Sequence, residues 1–220
     1  MLRTKWTLFA CIVALCTAPV FSAGKQTVTF VEDLEDGLRD GGWTFGAGFS
    51  ETIPTDGGNP GAYIRNSFVD SFAAQPHTLT GFRRTIFHGD YRSRNVSLLG
   101  IDLALFSIDF SAQQRPLSLI LSSGDCKIFT IGGPPTPMPN GKWKRYRFRV
   151  PSGRATMPLK WSILDCPGRS DDEAWNEVIT DVLEVRYFTG NPTDFFIFQV
   201  WDIGMDNMSL TQALNPPPLN

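Results

Sequence analysis

The chain has 220 residues, with 20 Lys and Arg against 22 Asp and Glu, so its formal net charge is −2. That balance excludes a general nucleic-acid binder, whose domain would be basic. A hydrophobic content of 42%, with 17 Phe and 6 Trp, excludes an intrinsically disordered chain and is enough to fill the core of one domain.

Residues 1–22 read as a secretory signal peptide. Arg3 and Lys5 form its basic start, residues 6–20 are apolar and uncharged, and Val20-Phe21-Ser22 places suitable residues for cleavage after Ser22. The apolar run is shorter than the ~20 residues that a membrane span needs. The expected location is therefore secreted or periplasmic, with no membrane span after the signal is removed. Loss of Arg3 and Lys5 leaves 18 basic residues against 22 acidic ones, a net charge of −4. Cys11 and Cys16 leave with the signal, and the remaining pair, Cys126 and Cys166, is expected to form one disulfide in an oxidising compartment.

From there the apolar pattern is mostly of period two. Strands are predicted at 27–30, 43–45, 62–64 and 82–87. Residues 96–110 read as two strands or one bent strand, with Gly100 as a bulge and Ile101, Leu103 and Leu105 alternating with Asp102, Ala104 and Phe106. Residues 117–121 and 127–131 flank a Gly124-Asp125 turn. Residues 132–141 hold four prolines and read as a surface loop. Tyr146, Phe148 and Val150 alternate with Arg145, Arg147 and Arg149, giving a half-buried strand with a basic outer face. Further strands are predicted at 161–164, 182–187 and 195–201. One short helix is predicted at 171–179, capped by Ser170 with Glu173 completing a capping box.

The last ordered stretch, 201–210, reads as an apolar strand broken by Gly204 and closed by Asp206-Asn207, ahead of a disordered proline-rich tail at 212–220. Many short strands, Gly and Pro turns and little helix predict an all-β chain: one two-sheet antiparallel β-sandwich, a jelly roll, over residues 23–211.

Motifs for catalysis are few. His77 and His88 have no metal-binding spacing, and there is no Gly-x-Ser-x-Gly elbow or phosphate loop. His88-Gly89-Asp90 reads as a turn. The acidic start holds Glu32, Asp33, Glu35 and Asp36. If the first and last strands pair, Glu32 or Asp33 approaches Asp206, and these three are the expected ligands of a structural calcium ion, a hard cation that takes several oxygens. Tyr91, Trp143 and Trp175 lie in polar, turn-rich stretches, where an exposed ring can stack on a sugar. Arg145 and Arg147, beside Trp143, offer a basic row to an anionic polysaccharide. The expected ligand-binding set is thus Tyr91, Trp143, Arg145, Arg147 and Trp175.

Several segments together resemble a known family. Gly57-Gly58-Asn59-Pro60-Gly61-Ala62-Tyr63-Ile64, Phe87-His88-Gly89-Asp90-Tyr91 and the closing 204–210 stretch are similar to segments of bacterial secreted proteins with a laminin-B-like (laminin IV type A) domain. The resemblance implies a galactose-binding-like jelly roll in an extracellular setting, and supplies no catalytic residues. The functional expectation is a secreted, non-catalytic binding or adhesion module for a glycan or an extracellular matrix component. A polysaccharide-active enzyme on the same scaffold and a cell-envelope assembly protein remain the alternatives.

Overall fold

The computed structural model describes residues 26–37, 40–46, 50–79, 85–110, 114–194 and 197–214. The predicted signal peptide and residues 215–220 of the predicted tail lie outside them. Two open antiparallel sheets face each other. In spatial order the first holds β3 (Glu51–Thr52), β4 (Ile64–Ser71), β12 (Gln199–Ala213), β6 (Val96–Ile108) and β9 (Lys144–Arg149), with β1 (Thr27–Glu32) also on β12. The second holds β10 (Trp161–Asp165), β8 (Cys126–Thr130), β7 (Leu117–Ser123), β11 (Glu184–Thr189), β5 (His77–Thr78) and β2 (Trp43–Thr44). The chain is the expected β-sandwich.

Strand alternation explains which side chains meet. Leu99, Ile101, Leu103 and Leu105 of β6 point inward, with Tyr146 and Phe148 of β9 and Ile203, Met205, Met208 and Leu210 of β12. They meet Leu119 and Leu121 of β7, Ile128 of β8 and Val185 and Tyr187 of β11. Residues 96–108 form one continuous strand rather than two. The predicted strand at 82–87 does not form in its described part: residues 85–87 lie in a turn, and 82–84 are outside the described residues.

β12 differs most from its expected form. It runs unbroken through Gly204 and on to Ala213, so Gln212 and Ala213 belong to the sheet and not to the tail. Its start is at Gln199, leaving Ile197 and Phe198 exposed ahead of it. One edge pairs with β6 along its length. The other is shared, with β4 covering Gln199 to Met205 and β1 covering Met208 to Ala213. Asp206-Asn207 sits where the neighbour changes. There Asp206 opposes Asp102 but Ser209 opposes Gly100, so β12 carries one extra residue, and Asn207 has φ +48°. This is a β-bulge, which kinks one strand and re-aims its side chains.

The single helix among the described residues, α1 (Asp171–Thr180), is capped as its sequence predicts. The Glu173 carboxylate accepts from the Ser170 backbone N–H (2.8 Å) and hydroxyl (2.7 Å). Ala174, Trp175, Val178 and Ile179 form its buried stripe. The Cys126–Cys166 disulfide is present and joins the start of β8 to the residue after β10. Among the described residues, no helix is long and apolar enough to cross a membrane.

Candidate binding surfaces

The outer face of the first sheet is built by the residues that alternate with the core. Arg65 comes from β4, Asp202, Gly204 and Asp206 from β12, Asp102, Ala104 and Phe106 from β6, and Arg145 from β9. The loop 57–61 packs onto this face over Asp102 and Asp206. Asp206 accepts the backbone N–H groups of Asn59 and Asn207, both at 2.6 Å. Asp102 accepts two bonds from Arg145 (2.6 and 2.7 Å) and one from each side-chain amide of Asn59 (2.8 Å) and Asn207 (3.1 Å). Gly58 lets the loop close down, because a Cβ there would fall 2.9 Å from the Asp206 carboxylate. Burial, then the nearby carboxylates of Asp102 and Glu35, push the Asp206 carboxyl up to about 6 against the two N–H donors, which favour its charged form.

The expected calcium ligands are not gathered. β1 leaves β12 at Glu32, opposite Met208, and Leu34 turns with φ +62° into the core. Asp33 is left outside, accepting the Glu35 N–H. Glu32 and Asp33 line a cavity of about 370 Å³ with Asp36 and Asp40, and Asp206 takes no part in it. Among the described residues, the one group of three such ligand atoms within 4.8 Å is Cys126, Cys166 and Glu177, whose sulfurs are bonded to each other.

The aromatic candidates separate clearly. Tyr91 is 0% exposed, with its hydroxyl donating to the Phe87 carbonyl at 2.6 Å. Trp175 is also 0% exposed, with its indole N–H on the Arg154 carbonyl and its ring edge-on to Trp161. Neither can meet a ligand. Polar neighbours in sequence misled the expectation, since helix α1 turns Trp175 inward. His88 is buried too, bonded to the Thr78 hydroxyl, and burial lowers its pKa.

Trp143 is different. Of the five described tryptophans it is the one that is not buried. Its indole N–H donates to the Gly57 carbonyl (2.9 Å), and its ring meets Tyr63 and Phe106 edge-on at 5.2 and 6.4 Å. It lies over Gly204, where a Cβ would come 3.0 Å from both Trp143 and Tyr63. Arg65 holds Phe106 from above at 4.5 Å and is itself clamped by Asp202, whose hydrogen bond raises the guanidinium pKa. The accessible side of Trp143 lines a cavity of about 270 Å³ with Gln114, Met138, Asn140, Lys142 and Lys144.

The basic row divides. Arg145 is taken up by Asp102, whereas Arg147 and Arg149 line a separate cleft of about 480 Å³, bordered by β9 from one sheet and by residues of β8 and β10 from the other. Arg154 and Lys160, which sequence reasoning missed, also line it. Both stand in an irregular loop, so no periodicity marks them. Asp102 and Asn59 were missed as well, although a charged residue inside an apolar strand is itself a signal.

No family model and no curated protein matches the chain. Solved structures give distant likenesses. An exo-β-agarase is 13% identical, with a TM-score of 0.46, over 84% of this chain and 24% of the agarase. A family 11 carbohydrate-binding module from Clostridium thermocellum, in complex with a β-1,3-1,4-mixed-linked tetrasaccharide, is 13% identical, with a TM-score of 0.44, over 89% of this chain and 94% of the module. The L4b domain of human laminin alpha-2 is 11% identical, with a TM-score of 0.36, over 70% of each chain. The chain thus spans about a quarter of the agarase's length.

Proposed function

We propose that this chain is an extracellular, non-catalytic glycan-binding module of the laminin-B-like kind, and that Trp143 is its sugar platform. The observation that carries the reading is the partly exposed indole, fixed by one hydrogen bond and two edge-on rings and lining one cavity with Gln114, Asn140 and Lys142. An aromatic face receives the apolar C–H side of a pyranose, and a few polar groups around it set orientation. A platform fixed in advance loses little freedom on binding. The disulfide fits an oxidising compartment.

A glycan array with the wild type and with Trp143→Ala tests this. Binding to a defined set of neutral glycans is expected, lost in the variant, whose cooperative melting shows that it still folds. Silence across the neutral glycans of the array, binding to them that survives Trp143→Ala, or release of reducing ends from a bound polysaccharide would overturn it.

A further inference from the structure

We infer that the cleft between the two sheets is a second binding site, separate from Trp143, and that it takes the acidic groups of an anionic polysaccharide. Four cations line it, Arg147 and Arg149 from β9 and Arg154 and Lys160 from the loop that follows, and no carboxylate does. Elsewhere on the surface Arg65, Arg145, Arg169 and Arg186 each sit on an Asp or Glu. Among the described residues, the four of the cleft have no ion-pair partner. Such a concentration of unpaired positive charge runs against the net charge of −2.

Charged residues on an edge strand can serve only to repel another strand. That role covers Arg147 and Arg149, since β9 ends its sheet. It does not cover Arg154 and Lys160, which lie on no strand yet border the same cleft. The walls are apolar and stiff, formed by Pro134, Pro151 and Pro158 and the edges of Phe148 and Trp161, while Leu159 is wholly exposed at the lip. Guanidinium forks bind carboxylate or sulfate in pairs, and the apolar walls suit the C–H faces of the ring that bears them. A duplex nucleic acid would need a long basic track, which a chain of this net charge lacks. A volume of about 480 Å³ suits a short stretch of sugar rings rather than a folded partner.

The test is titration of the exported protein with polygalacturonate (carboxylate), dextran sulfate (sulfate) and neutral dextran, at about 0.05 and 0.5 M NaCl to vary screening. Arg154→Gln and Lys160→Gln are compared with Lys127→Gln, a charge-matched change outside the cleft. The acidic polymers are expected to bind and dextran not, each cleft variant weakening binding about tenfold, as loss of a charged contact does, with Lys127→Gln close to wild type. Melting curves of the loop variants confirm that they fold. Equal binding by the cleft variants and the wild type, equal losses in all three variants, no preference over dextran, or equal displacement by anionic lipid vesicles or duplex DNA would each overturn the inference. None of these outcomes bears on Trp143, which the array reads separately.

Discussion

Arg145 holds both carboxylate oxygens of Asp102 across the β6–β9 pair, although the Asp102 side chain is 0% exposed and that of Arg145 is 50% exposed. A buried carboxylate on a sheet face is tolerable only while its partners remain. Here they come from three chain segments, namely β9, the loop at Asn59 and the bulge at Asn207. The network is thus the clamp that fixes the loop 57–61, and through Gly57 it fixes Trp143.

Arg145→Met removes the strongest donors while Asn59 and Asn207 stay. A destabilisation of about 1–3 kcal/mol is expected, the usual cost of leaving a buried acceptor short of partners. Urea unfolding measures it, with an unchanged m value showing that the native state is otherwise intact.

The raised carboxyl of Asp206 predicts a pH effect of definite sign. Its ordinary value is 3.8 and its folded value about 6, so between those limits the folded state holds a proton that the unfolded state has lost. The stabilisation from this residue is complete below pH 3.8, falls as pH rises and is gone above pH 6. The difference in melting temperature between wild type and Asp206→Asn should change across that window in the direction that disfavours the wild type at higher pH. A difference that stays constant would remove the effect.

Gly204→Ala places a methyl group 3.0 Å from the rings of Trp143 and Tyr63. Overpacking of this kind typically costs about 1–3 kcal/mol. The double variant with Trp143→Ala should lose less than the sum of the single changes, because the rings and the methyl group compete for one space. Thermal or urea melts of the four proteins decide this, and changed tryptophan fluorescence in Gly204→Ala would report the displaced indole directly.

The Cys126–Cys166 bond closes a loop with a sequence separation of 40. On the chain-entropy model such a loop contributes roughly 4 kcal/mol. Cys126→Ser with Cys166→Ser should lower the denaturant midpoint accordingly, and titration of the denatured, unreduced wild type should find neither thiol free.

The sandwich was legible because its strands obey a simple alternation. Leu99 to Leu105 and Arg145 to Arg149 sort inward and outward residues without knowledge of their neighbours. Helix α1 was equally plain, since its capping box is local. The buried spacing 174, 175, 178 and 179 also marks Trp175 as inward-facing, a stripe that outweighs the polar residues around it. What stayed hidden depends on long-range pairing. Asn59 meets Asp206 across 147 residues of chain, and Arg154 joins Arg147 in a cleft only because two sheets end side by side. The course of β12 was misread for a related reason. Gly204 looks like a strand breaker in isolation, but its missing side chain makes room for two rings, and the register shifts of β12 fall on either side of it, at Asp202/Ile203, Asp206/Ser209 and Thr211/Gln212.

The pairing of Thr27 with Ala213 places the first and last strands of the described residues edge to edge. Polypeptide attached before the one or after the other must therefore leave from a common point. A module of this shape can be spliced into a surface loop of a host protein, or have its ends joined and new ones cut elsewhere, without rearranging the sandwich.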